Sequence, residues 1–156
     1  MLVFIDTEYT DALDCDLISI GMVCEDDHYA FYAERSDFQV DWCNSFVKAA
    51  VLPLLGLVSR TFDRVQLTNE LISWFASLPF DVTIACDSFT DWELLLDALD
   101  GAHPSNIIGC HDLRTNSNSV AFYNAAAEYH NHFGPRHHAM HDARAHRYGW
   151  MCCNEA

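Results

Sequence analysis

Five apolar residues, Met1-Leu2-Val3-Phe4-Ile5, open the chain and stop at Asp6-Thr7-Glu8. The run predicts a buried strand over residues 2–6. Leu17-Ile18-Ser19-Ile20-Gly21-Met22-Val23-Cys24 predicts a second strand, with the acidic stretch 10–16 as the connection. Residues 28–33 predict a third, after a turn at Glu25-Asp26-Asp27. Three strands with short links make an antiparallel meander. The period then changes. Trp42, Phe46, Ala49, Ala50 and Val51 fall at helical spacing, ended by Pro53 and Gly56. Leu71, Ile72, Phe75 and Leu78 define a helix over 68–78. A strand over 81–86 follows, then a helix opened by a Thr90/Glu93 capping box. A short strand is predicted at 107–110 and helices at 116–129 and 141–153, with Gly134-Pro135 between them. The pattern predicts an α/β fold in which a five-stranded mixed sheet carries helices on both faces. No linker, repeat or low-complexity stretch divides it, so one domain covers residues 1–156.

Composition narrows the class. The chain is 51% hydrophobic and 20% charged, which suits a globular domain. No apolar run reaches the ~18 residues of a membrane helix, and no basic leader precedes the first strand. Seven cysteines without a CxxC argue against a disulfide scaffold or structural zinc, and for reduced thiols in the cytoplasm. A net charge of −15 argues against broad electrostatic binding to nucleic acid. The charge is unevenly spread. Residues 1–34 hold nine acids and no Lys or Arg, whereas Arg136, Arg144 and Arg147 share a stretch with His137, His138, His141 and His146.

Residues i and i+2 of a strand share a face, so Asp6 and Glu8 aim at one point. Two anions there repel, and a divalent cation relieves the repulsion. Two further carboxylates sit where elements could converge. Asp91 lies in Cys86-Asp87-Ser88-Phe89-Thr90-Asp91-Trp92, and Asp142 in His137-His138-Ala139-Met140-His141-Asp142-Ala143. The second stretch has the form H-x-A-x-x-D-A.

Asp-x-Glu on the first strand, a central Asp and then H-x-A-x-x-D-A resemble, in order, the motifs of the DEDDh 3′–5′ exonucleases. The resemblance runs from Asp6 to Asp142 and implies the ribonuclease H-like fold. More narrowly, Asp6-Thr7-Glu8-Tyr9, the Leu17–Gly21 strand, Val51-Leu52-Pro53-Leu54-Leu55 and Cys86–Trp92 look like small bacterial exoribonucleases of the RNase AS type. That group is associated with adenylate-containing RNA and with homodimers. The resemblance implies two-metal hydrolysis of phosphodiesters, with two Mg²⁺ or Mn²⁺ ions ~3.5–4 Å apart. Asp6 would bridge the ions, Glu8, Asp91 and Asp142 would complete their shells, and His137 would take a proton from the attacking water. The product would be a 5′-nucleoside monophosphate from the 3′ end of single-stranded RNA. Thr7, Tyr9, Ser88 and Trp92, beside the carboxylates, are the candidate substrate contacts, by stacking and short polar bonds.

Each residue also has a plainer role. Asp6 and Glu8 alone would read as a solvated strand end, and Asp91 as a residue suited to a helix start. Asp87 competes with Asp91, and the family pattern selects Asp91 because it opens the helix. His138 competes with His137, and the family spacing selects His137. His141 and His146 read as surface or core residues, Trp150 and Ala143 as the inward stripe of the last helix, and the three arginines as surface charge. Two rival functions remain: a DNA exonuclease or oligoribonuclease-like scavenger, and an inactive nuclease fold used as a nucleic-acid-binding module.

Overall fold

The computed structural model of the chain describes residues 1–56, 60–117 and 119–154. Its first strand, β1 (Leu2–Tyr9), lies inside the sheet and alternates between two cores. Val3 and Ile5 enter the larger core, and Phe4 enters a smaller one on the opposite face. β2 (Leu17–Cys24) pairs antiparallel with β1, and β3 (Ala30–Arg35) pairs antiparallel with β2, forming the expected meander. β4 (Thr61–Phe62) adds parallel to β3. On the other side, β5 (Val82–Cys86) runs parallel to β1, and β6 (Ile107–Asp112) parallel to β5. The order is β4-β3-β2-β1-β5-β6, so among the described residues the sheet has six strands and not the five predicted. A two-residue strand has no alternation to detect. Only its pairing, Glu34 with Thr61 and Arg35 with Phe62, makes β4 a strand.

The helices are α1 (Ser45–Ala50), α2 (Arg64–Ser77), α3 (Phe89–Ala98), α4 (Arg114–Ser117), α5 (Val120–His132) and α6 (Ala139–Asn154). Leu67, Leu71 and Phe75 of α2 and Leu94 and Leu95 of α3 close the larger core over Val3, Ile5 and Met22. Burial of each such side chain is worth about 1.5–3 kcal/mol. On the other face, Ala143 and Trp150 of α6 pack with Phe4 and Val23, the Phe4 and Trp150 rings lying 6.2 Å apart. Helices thus cover both faces.

Helix starts moved where a capping side chain outranked the apolar period. Asp63 accepts from Gln66 N–H while Gln66 returns a bond to Asp63 N–H, so α2 starts four residues before the predicted Thr68. Ser88, not Thr90, caps α3. Asn44 caps α1, which is shorter than predicted because 3₁₀ turns at Val40–Trp42 and Leu52–Leu54 flank it. Ser119 caps α5. Asn118, inside the helix expected over 116–129, lies outside the described residues.

Gly21 sets how close α6 comes to the sheet. It pairs with Asp6 across β1 and β2. A Cβ at Gly21 would lie 2.4 Å from Ala139 C and Met140 N. Only a residue without a side chain lets the first turn of α6 rest on β2 there. That contact brings Asp142 over β1.

Candidate metal centre

β1 and β5 are adjacent and parallel, so their C-terminal ends open at one edge, where α/β sheets commonly hold ligands. A cavity of about 460 Å³ lies there. Asp6 and Glu8 enter it from β1, Asp87 and Asp91 from the turn and first helical turn after β5, and His137 and Asp142 from the approach to α6 and its first turn. The five carboxylates are at most partly exposed. The register shift between Glu8 and Tyr9 ends the regular pairing just beyond the two carboxylates.

Each carboxylate is held differently. Asp91 is buried, and its Oδ1 accepts from Thr7 N (3.0 Å) and Thr7 Oγ1 (2.6 Å). Thr7 therefore positions Asp91 from inside the core face. Asp142 Oδ2 accepts from the backbone N–H of His137 (2.7 Å) and His138 (3.2 Å), and its Oδ1 lies 3.1 Å from His130 Nε2. His130 Nδ1 is 3.1 Å from the carbonyl of Gly134. The imidazole thus stands between two acceptors, and this ties α5 to the site. Asp87 Oδ2 is 3.2 Å from His146 Nε2. Asp6 and Glu8 receive no hydrogen bond or ion pair among the described residues.

The electrostatics follow. Burial, then Asp91, Asp142 and Glu8, push the Asp6 carboxyl well above the ordinary carboxylate range. Burial, followed by Asp142 and Asp91, raises Glu8 to about 8. Burial raises Asp91 to about 6 against the opposing pull of its Thr7 bonds. Burial also pushes Asp87 upward, but the His146 imidazole outweighs it and holds Asp87 below its usual value. Two carboxylates with no donor, crowded by others, form an environment that a cation would relieve. Among the described residues, two groups of side chains place ligand atoms within 4.8 Å of one another: Asp6, Asp87 and His146, and Glu8, His137 and Asp142. Oxygen donors predominate in both, which fits a divalent cation.

Of the predicted substrate contacts, Tyr9 and Ser88 line the cavity, and Ser88 also caps α3. Thr7 touches the cavity but spends its donors on Asp91. Trp92 packs against the larger core and lines a separate apolar cavity with Leu96 and Ile107. The neighbouring histidines part ways. His137 faces the cavity, with its ring edge-on to Phe46 at 4.9 Å. His138 is buried and stacks on Tyr32 at 4.7 Å.

Several residues at the site were not predicted there. The family pattern favours Asp91 over Asp87, and nothing local in the sequence distinguishes His146 from a surface or core residue. His146 does follow Asp142 by four residues, which puts the two on one helix face. Asn44, Phe46 and Arg136 line the cavity with no local sequence signal, because α1 and the α5–α6 loop reach it only in the folded chain. Arg144 and Arg147 lie elsewhere. Arg147 donates to the Glu25 carbonyl at 2.8 Å, and both arginines line a cavity with Tyr129 and Tyr148. All seven cysteines are free thiols, and no helix among the described residues is long and apolar enough to cross a membrane. Compared with models of protein families and with curated proteins, the chain matches none.

Proposed function

We propose that this protein is a metal-dependent 3′–5′ exoribonuclease with a ribonuclease H-like fold, releasing 5′-nucleoside monophosphates. One observation carries the reading. Asp6, Glu8, Asp91, Asp142 and His137, picked out by motif order, all line the same cavity although they come from three distant parts of the chain. The donor-free Asp6 and Glu8 fit divalent cations, with Asp91 and Asp142 as the further carboxylate ligands. When bound, a pair of such ions neutralises charge on the scissile phosphate and activates the attacking water.

The remaining work falls to the protein's own groups. His137 accepts a proton of the attacking water at an imidazole nitrogen as the water oxygen bonds to phosphorus and the bond from phosphorus to the 3′-oxygen breaks, the departing 3′-oxygen taking a proton from solvent water to become a hydroxyl. Its position is constrained. Its backbone adopts φ +64°, a conformation that is uncommon outside glycine. Its N–H donates to Asp142, which locks base and carboxylate into one unit. Thr7 fixes Asp91 in the same way. Phe46, half exposed at the cavity wall, offers a ring face to a terminal base, and Tyr9 lies nearby. Arg136, the one Lys or Arg lining the cavity among the described residues, suits a phosphate. A net charge of −15 is compatible with a polyanionic substrate when the cations carry the attraction.

The test uses RNA and DNA oligomers labelled at either end, with Mg²⁺, Mn²⁺ or a chelator. The expected result is stepwise shortening from the 3′ end, faster on RNA, abolished by chelator and by Asp6→Ala. Cleavage of DNA alone would move the substrate to DNA. Binding of oligomers without hydrolysis under either metal would replace the enzyme with a binding module.

A further inference from the structure

We infer that Asp6, Asp87 and the imidazole of His146 form a mixed oxygen–nitrogen seat for one divalent cation, so that this site favours Mn²⁺ over Mg²⁺. The inference rests on reading the cavity as a metal centre, and it departs from an all-carboxylate ligand set. Three elements converge on the seat: β1, the turn after β5, and the second turn of α6. Each residue offers one ligand atom, and these atoms lie within 4.8 Å of one another. All three line the cavity described above.

The ring of His146 is oriented for this role. Its Nδ1 is buried without a partner, so its polar contact lies on the Nε2 side, 3.2 Å from Asp87 Oδ2. Phe122 lies roughly parallel to the ring at 6.4 Å. The side chain is 13% exposed, which limits swing into solvent. Asp6 has no donor of its own among the described residues, so its oxygens are open to a cation.

The other group is furnished differently. Asp142 already accepts two backbone N–H groups and faces His130, and His137 is needed as a free base in the proposed reaction. At the Asp6 seat the imidazole Nε2 faces Asp87 at 3.2 Å, and a cation bound between them and Asp6 takes the place of that contact. Mg²⁺ binds imidazole poorly because it prefers oxygen ligands and retains its water, whereas Mn²⁺ stands in the transition-metal series that accepts nitrogen.

The test is pulsed electron paramagnetic resonance on the protein loaded with Mn²⁺ alone, with calorimetric titration of Mn²⁺ and Mg²⁺. The expected spectrum shows ¹⁴N coupling to Mn²⁺. His146→Gln should remove the coupling, and His137→Gln should retain it. Asp87→Asn and His146→Gln, which remove direct ligands, should each weaken Mn²⁺ by at least the about 10–100-fold typical of losing a group that only supports a ligand, with smaller losses for Mg²⁺. Circular dichroism checks that the variants fold. Bound Mn²⁺ without nitrogen coupling in the unaltered protein would overturn the mixed seat and leave the metal-dependent reading standing. Coupling lost in His137→Gln and kept in His146→Gln would overturn it too. No Mn²⁺ binding at all would remove both.

Discussion

At the scale of single residues, the site is a set of carboxylates that the fold makes uncomfortable. Glu8 is raised from 4.5 to about 8, first by burial and then by Asp142 and Asp91. A carboxyl whose pKa is raised on folding is protonated more readily in the folded chain than in the unfolded one. Its contribution to stability is complete below the unfolded value and is lost as pH rises through the folded value. Asp91, raised to about 6, acts in the same direction over a lower window. Metal-free protein is therefore expected to lose stability between about pH 4 and about pH 8, as read from denaturant midpoints in chelator. Glu8→Gln should flatten that decline and raise the midpoint at the alkaline end. A midpoint that rises with pH in the unaltered protein would contradict this account. Asp6, Glu8, His137 and Asp142 were legible as candidates because their spacing is local: i and i+2 on a strand, or five residues across a helix start. Asp87, His146 and His130 were not legible in these roles. Each gains its meaning from a partner far along the chain.

At the scale of elements, one glycine and one cap separate the role of position from that of stability. Gly21→Ala would drive a methyl group into the backbone of Ala139 and Met140. Overpacking of this kind costs about 1–3 kcal/mol, and the first turn of α6 must shift to relieve it. The expected outcome is a lower urea midpoint together with weaker Mn²⁺ binding, since Asp142 and His146 move with the helix. Asp63→Ala removes the α2 capping box and should cost about 1 kcal/mol, with Mn²⁺ affinity unchanged. Equal metal affinity in both variants would show that the closeness of α6 to β2 does not set the site. The apolar period identified most elements, and the polar side chains at their ends placed the boundaries. The period alone does not reveal the caps Asp63 and Asn44, and at α3 the Thr90/Glu93 pattern points two residues past the actual cap, Ser88. The two-residue β4 had no period at all.

At the scale of the whole molecule, a chain of net charge −15 brings Asp6, Glu8, Asp87, Asp91 and Asp142 to one cavity at the sheet edge, where Asp6 and Glu8 have no donor among the described residues. A bound cation should therefore stabilise the fold by mass action, by about 2.7 kcal/mol at a hundredfold excess over its dissociation constant. Thermal unfolding in Mg²⁺ or Mn²⁺ should move upward for the unaltered protein and much less for Asp6→Ala. Equal shifts in both would assign the effect to general screening of the acidic surface. The two ends of the chain meet at this site through the strand order β2-β1-β5 and the return of α6 across β1 and β2. The sequence by itself determined the α/β class, the meander, the helices on both faces and the identity of four carboxylates and one histidine worth watching. These follow from periodicity and short-range spacing, which are properties of neighbouring residues. Only the tertiary structure decided that those side chains share one cavity, that Thr7 and His130 hold two of the carboxylates, and that Asp87 and His146 line the cavity beside them. Those facts depend on which strands pair and how near a helix can approach, and both are set by contacts between residues far apart in the chain.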